Sequence, residues 1–439
     1  METADFILYI GLIIFVSHLF TSFFEATRIP DVLLLILLGI FLNILGFDPS
    51  PFLVSGDILF EIALALILFE AGIHLKFNYL YGAIKSSTLI ILSTYIFTII
   101  ALLFFCQYVL FLSFHDSLFL GFIMASISPA VVIPLSNSMN ISQKLKSNLI
   151  VESTITDVLS IFFVIALVGY EGEYKNISMS VFLKDFSIVF LKSAGIGLLA
   201  AITWSYIFDK IRNLPNTIFT SLAFIFILFG VSHYIHTSAP ITVLFFSMII
   251  SVPSENKIRK FSKKIKLPLI EFSESEKLFY EEILFIIKTF FFVFLGVKMS
   301  YFDGLEIALV LMFYLKALAI TGVVFFIRFL CIKLTKPKID NNKLIVLLSM
   351  VPKGLAAAVL ISFYVSNVQM SSDISQELIY TTYGVILLSI FASSILVFIA
   401  EKRIKNQILQ TDGILREKVN GNKNKTTEKV DINKTNENF

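Results

Sequence analysis

Between residues 6 and 400 the chain is built of apolar runs, many close to the ~20 residues a helix needs to cross about 30 Å of hydrocarbon. No other feature limits the fold as strongly. Laid along the chain, that ruler marks about thirteen spans, at 6–24, 32–45, 58–75, 87–112, 118–135, 147–168, 186–207, 218–234, 236–252, 278–297, 305–330, 344–364 and 378–400. With 57% hydrophobic and only 15% charged residues, a string of water-soluble domains is excluded. No ten-residue alternation of apolar and polar residues indicates an outer-membrane barrel. The expected fold is therefore an all-α polytopic membrane protein. No basic segment precedes the first run and no small-residue cleavage site follows it, so it reads as a retained span. A net charge of +3 does not suggest a nucleic-acid partner. Cys106 and Cys331 lie in or at the end of apolar runs and read as packing residues. No cofactor, metal or redox signature is present.

Lys and Arg collect in alternate loops, as retention on the cytoplasmic side predicts. One set of loops carries Arg28, Lys76, Lys85, Lys144, Lys146, Lys210, Arg212, the run from Lys257 to Lys266, and Lys333 to Lys343. The intervening loops carry mostly acids, among them Asp48, Asp116, Glu171, Asp303 and Glu377. This places the N-terminus outside and the C-terminus in the cytoplasm. The transmembrane domain is expected over 1–400, its halves joined by a cytoplasmic linker at 253–277 that could touch anionic lipid. The Lys-, Asn-, Thr- and Glu-rich stretch 401–439 buries too little apolar area to fold and reads as a disordered cytoplasmic tail.

An ionisable side chain at bilayer depth is costly enough that each is a functional hypothesis. Asp157 lies about ten residues, roughly 15 Å, into the sixth span. Lys316 in the eleventh span and Lys353 in the twelfth reach a similar level, where one carboxylate and two ammonium groups would offset one another's burial. The fifth span contains Ser128-Pro129 and Pro134, and the twelfth contains Pro352-Lys353-Gly354 at matching depth. Such interruptions free backbone groups and survive in lipid only where they are buried or line a cavity. By the loop count these two spans run in opposite directions. Paired interruptions in inverted halves point to a carrier's binding site. On the sixth span Ser153 and Asp157 stack on one face, with Glu152 and Thr156 on the adjoining one. Asp157, Ser153, the hydroxyl of Ser128 and freed carbonyls near Ile127 would supply oxygens to a monovalent cation. A proton and a cation would compete for that carboxylate. Lys288 reads as a snorkelling or structural residue, and Glu70 and His74, one turn apart, as local structure.

These residues resemble the monovalent cation/proton antiporters of the sodium/proton exchanger type. The likeness runs in order through Arg28-Ile29-Pro30-Asp31, Leu68-Phe69-Glu70-Ala71-Gly72-Ile73-His74-Leu75, Ser128-Pro129-Ala130-Val131-Val132-Ile133-Pro134 and Glu152-Ser153-Thr154-Ile155-Thr156-Asp157. It continues in Phe292-Val293-Phe294-Leu295-Gly296, Lys316-Ala317-Leu318 and Lys353-Gly354-Leu355-Ala356. The resemblance implies inverted repeats with two crossed broken helices, and a core that moves against a dimerising scaffold. It also implies Asp157 as the ion- and proton-binding carboxylate, with Ser153, Thr156, Ser128 and Ile127 around it. Glu152 would pair with a basic residue, Lys316 by expectation or Arg328 as the alternative closer to it in depth. Lys353 would offset the dipole ends of the half-helices.

This sequence departs from the pattern at three points. Ser128 replaces an aspartate, Thr156 replaces an asparagine, and Lys stands at 316 and 353 where Arg is usual. A single aspartate favours one proton per cation. The implied function is sodium/proton exchange by alternating access in a cell membrane, with lithium or potassium as other cations, no cofactor, and a homodimer as the assembly. Potassium/proton exchange is the alternative. An ion-sensing receptor is the remote one, since the tail resembles no output domain. No nucleophile or acid/base cluster indicates an enzyme.

Overall fold

A computed structural model describes residues 3–27, 30–45, 56–74, 77–173, 179–211, 218–235, 237–250, 274–300 and 307–421. Among the described residues all regular structure is helical, as expected. The first group of helices is α1 (Thr3–Thr27), α2 (Asp31–Ile44), α3 (Gly56–His74) and α4 (Phe77–Tyr108). Then come α5 (Phe114–Ala125), α6 (Pro129–Ser138), α7 (Gln143–Glu173), α8 (Met179–Ile211), α9 (Ile218–Tyr234) and α10 (Ala239–Ile250). The last are α11 (Glu274–Ser300), α12 (Ile307–Thr335), α13 (Asn341–Ser349), α14 (Leu355–Asn367) and α15 (Ser372–Gly421).

Among the described residues seven stretches are long and apolar enough to cross a bilayer, from Ile7–Phe24 to Ser372–Asn406. The expected thirteen are not reproduced at that length. Asp31–Ile44, Phe219–Tyr234, Ala239–Ile250 and Leu355–Asn367 are apolar but shorter. Large side chains face outward on these helices, with Phe15, Leu89, Leu191, Phe326 and Phe398 each more than 60% exposed. A surface of that kind belongs in lipid. Inside it, many hydroxyls bond a carbonyl of their own helix, as in Ser193 donating to the Val189 carbonyl and Ser205 to that of Ala201.

The order long helix, broken helix, long helix occurs twice, as α4, α5/α6, α7 and as α12, α13/α14, α15. These helices pack together: α4 lies on α5, α7 and α12, and α15 on α12, α13 and α14. A second bundle has α2 against α11, and α10 against α3, α8 and α9. Gly39 and Gly296 make the α2–α11 crossing a backbone contact. A Cβ at Gly296 would lie 2.0 Å from the Ile36 carbonyl oxygen, and one at Gly39 2.0 Å from that of Val293. Between the bundles, α7 faces α3, α8 and α10 across a cavity of about 340 Å³ lined entirely by apolar side chains, including Leu68, Phe162, Phe190 and Phe245.

The breaks expected in the fifth and twelfth spans are present, and each span is two helices, separated at Ser126–Ser128 and at Met350–Gly354. The stretch beyond Ala400, expected to be disordered, continues α15 as far as Gly421. Extending a formed helix costs far less than nucleating one, and Glu401, Lys402, Lys405, Gln407 and Leu409 are good helix formers. The linker at 253–277 enters α11 at Glu274; residues 251–273, the tail 422–439, His236 and the Arg28-Ile29 pair lie outside the described residues.

Gly296→Ala is expected to destabilise the protein by ~1–3 kcal/mol, because its methyl meets backbone and not a movable side chain. Gly322, with open space where its Cβ would stand, is the control. Thermal unfolding of the two alanine variants in detergent should separate them, with Gly322→Ala close to wild type.

Candidate ion site at the crossing of two broken helices

Proline at position 129 opens α6, and Pro352 and Gly354 stop α13 from running into α14. Each break leaves carbonyls and amides that lipid cannot satisfy. The two breaks satisfy each other. The Ser128 amide donates to the Pro352 carbonyl at 2.9 Å, so the chain crosses itself backbone to backbone. Gly354 is needed there because a Cβ would fall 2.1 Å from Ser128 Oγ.

Side chains from three neighbouring helices pin the crossing. The Thr156 hydroxyl of α7 accepts from the Ile127 amide at 3.2 Å and donates to the Glu152 carbonyl at 2.9 Å. The Lys353 amide donates to Ser389 Oγ of α15 at 2.9 Å. The Lys353 ammonium, in a side chain 1% exposed, donates to the Ser126 carbonyl at 2.6 Å. That carbonyl caps the C-terminal end of α5, where the helix dipole concentrates negative charge. Farther along α7, Ser160 Oγ donates to the Phe122 carbonyl of α5 at 2.6 Å. The far ends of the half-helices are also tied together. The Tyr364 hydroxyl of α14 donates to Asp116 of α5 at 2.9 Å, and its ring stacks on Phe119.

Asp157 faces this crossing from α7 and is 4% exposed. It lines a cavity of about 30 Å³ together with Ser128, Pro129, Ala130, Ile133 and Thr154. Leu355 and Ala356, at the start of α14, close one side, and Glu70 and Lys288 stand on the remaining wall. The volume suits one or two water-sized occupants. Of the expected ligands, Ser128 lines this space. The Thr156 hydroxyl is instead engaged in holding the Ile127 amide, and that of Ser153, fully buried, donates to the Ile150 carbonyl of its own helix at 2.9 Å.

Glu152 pairs with Arg328, not with Lys316. Arg328 is fully buried and grips the carboxylate with both terminal nitrogens, its Nη2 at 2.9 Å from Oε2. Its Nε donates to the Leu347 carbonyl at 3.2 Å, so one guanidinium joins α7, α12 and α13. Depth explains the choice. Glu152 is five residues, about 7.5 Å, from Asp157 along α7, whereas Lys316 was matched to the level of Asp157 itself. Lys316 does not join the cavity and instead pairs with Glu377 of α15. Glu70 is not a local partner of its own helix, since it meets Lys288 of α11 at 2.8 Å. Residue types at intramembrane depth were the available signal for that pair, but no spacing rule connects α3 to α11. Asp116 was legible only as a loop acid; the Ser113-x-x-Asp116 cap signals its place at a helix start, not its partner Tyr364.

A family model described as "Sodium/hydrogen exchanger, transmembrane" matches residues 11–402. Among solved structures, the sodium proton antiporter MjNhaP1 from Methanocaldococcus jannaschii at pH 8 superposes with a TM-score of 0.68 at 21% identity. The match covers 91% of this chain and 99% of that one. A second structure of the same antiporter, from electron microscopy, gives a TM-score of 0.68 at 20% identity over 92% and 98% of the two chains. At that identity the likeness shows the fold. Among curated proteins none matches the chain.

Removing either partner of the buried pair, by Glu152→Gln or Arg328→Gln, is expected to cost ~3–5 kcal/mol, because the other charge is left in the dry interior. In a double-mutant cycle read by thermal unfolding, Glu152 and Arg328 should couple by ~0.5–3 kcal/mol, while Glu152 and Lys316 should be additive. Coupling with Lys316 and none with Arg328 would overturn the pairing.

Proposed function

The chain belongs to the sodium/hydrogen exchanger family, and from that premise we propose that it exchanges a monovalent cation for a proton, with Asp157 as the seat both occupy in turn. The observation that carries this reading is a nearly fully buried carboxylate in a small cavity walled by the crossing of two broken helices. A bare carboxylate taken out of water is costly, and either a cation or a proton relieves that cost, so each displaces the other. The Ser128 hydroxyl lines the same cavity, and Ser153 and the Ile127 carbonyl are the further proposed ligands. Thr156 acts through the Ile127 amide, and Lys353 steadies the end of α5.

Sodium is the proposed cation, with lithium or potassium as others the same oxygens accept. One acid at the seat implies one proton per cation. In the proposed cycle the bundle of α4–α7 and α12–α15 shifts against the other, opening Asp157 to one side and then the other. The proposed setting is a homodimer in the cell membrane with the N-terminus outside and the C-terminus in the cytoplasm.

The test is antiport in proteoliposomes, with Na⁺, Li⁺ or K⁺ added against an imposed pH gradient. Asp157→Asn should lose exchange at least tenfold while folding and crossing intact, since the amide neither carries a proton nor balances a cation. Exchange at the wild-type rate would remove Asp157 from the mechanism. A response to K⁺ exceeding that to Na⁺ would make the protein a potassium/proton exchanger.

A further inference from the structure

The cavity beside Asp157 holds more charge than exchange at one carboxylate requires. Glu70 of α3 and Lys288 of α11 form an ion pair of 2.8 Å on its wall, their side chains 24% and 21% exposed. The two walls belong to different bundles. Asp157, Ser128 and Leu355 come from the bundle that carries the crossing, and Glu70 and Lys288 from the bundle of α2, α3 and α8–α11. A lysine ammonium on a flexible four-carbon stem therefore shares a space of about 30 Å³ with two carboxylates that move apart if the bundles move.

We propose that Lys288 latches the empty carrier: when Asp157 holds neither cation nor proton, the Lys288 ammonium leaves Glu70 for Asp157 and bridges the two bundles. The inference rests on the reading of Asp157 given above. It answers a requirement of any exchanger, that the unloaded seat must not cross. A loaded Asp157 is neutral and offers Lys288 nothing, so the ammonium returns to Glu70 and the bundles are free to move. An empty Asp157 is a bare anion next to a mobile cation, and their attraction is strong in a water-poor space. Of the other nearby cations, Arg328 is paired with Glu152, and Lys353, held by the Ser126 carbonyl, has a charge that also reaches Asp157; both belong to the same bundle as Asp157 and cannot bridge to the other. Asp31, at the start of α2, is a further acid within electrostatic reach of Lys288, but it does not line the cavity. Lys288 is thus a positioning residue and Glu70 its resting place.

Reconstituted full-length protein separates the latch from a merely structural ion pair. Wild type should release ²²Na⁺ down its own gradient only as fast as it takes up external protons, whereas in Lys288→Gln the empty seat can cross and the two fluxes come apart severalfold. Cation flux should then exceed proton flux. Lys288→Arg should remain tightly coupled. Glu70→Gln should act in the opposite sense: without its resting place Lys288 competes for Asp157, raising the KM for Na⁺ about tenfold with coupling intact. A structural pair would instead lower folded yield in both variants alike. Tight coupling in Lys288→Gln would overturn the latch. Should that variant be inactive, the decision passes to Glu70→Gln, where an unchanged KM would overturn it as well. Exchange by Asp157→Asn at the wild-type rate would bring down the assignment of the seat itself, which is a separate result.

Discussion

The hydrogen bond from the Ser128 amide to the Pro352 carbonyl is the constraint around which the molecule is arranged. A helix broken in the middle of a bilayer exposes polar backbone to a medium that cannot accept it. Here each break is the solution to the other. Because the bond is backbone to backbone, it needs close approach, which Gly354 permits, and extended conformations on both sides, which Pro129 and Pro352 favour. The Lys353 ammonium, the Thr156 hydroxyl and the Ser389 hydroxyl then use the groups that the crossing leaves over. The Arg328–Glu152 pair repeats the logic one layer away, with one buried guanidinium joining α7, α12 and α13. The cavity at Asp157 exists because these fixed elements hold it open.

The fold and the crossing were legible in the sequence because both are written as local patterns. Apolar length marks spans, and proline or glycine inside a span marks a break whatever surrounds it. The position of Asp157 was legible for the same reason, since depth is a count along one helix. Partner choice was not. Whether Glu152 meets Lys316 or Arg328 depends on how α7 and α12 slide past each other, and the twelve residues separating the two candidates amount to about 18 Å of that sliding. Glu70 with Lys288, and Asp116 with Tyr364, depend on contacts between helices far apart in the chain. The helix arithmetic placed Thr156 beside Glu152 on the face adjoining Asp157, and its hydroxyl does bond the Glu152 carbonyl, but the bond it takes from the Ile127 amide depends on how α7 meets the broken helix.

Ser128 is the departure with the clearest structural setting. Its oxygen lies against Gly354 and on the wall of the Asp157 cavity. A carboxylate in its place would add a second acid from the same bundle to that small space. With a hydroxyl there, the acids of the cavity are Asp157 on one bundle and Glu70 on the other, and Lys288 lies with the second. The arrangement sorts charge by bundle, one acid on the side of the crossing and a neutral pair facing it.

The large cavity between α7 and the helices α3, α8 and α10 has a consequence of its own. A boundary made of hydrocarbon alone carries no register. Rings such as Phe162, Phe190 and Phe245 gain nearly the same dispersion energy in neighbouring alignments, and spare volume lets them settle without strain. A face of this kind offers few directional contacts to resist the displacement that the proposed cycle requires. In the proposed cycle the resting positions are then selected elsewhere, by the few charges gathered around one carboxylate.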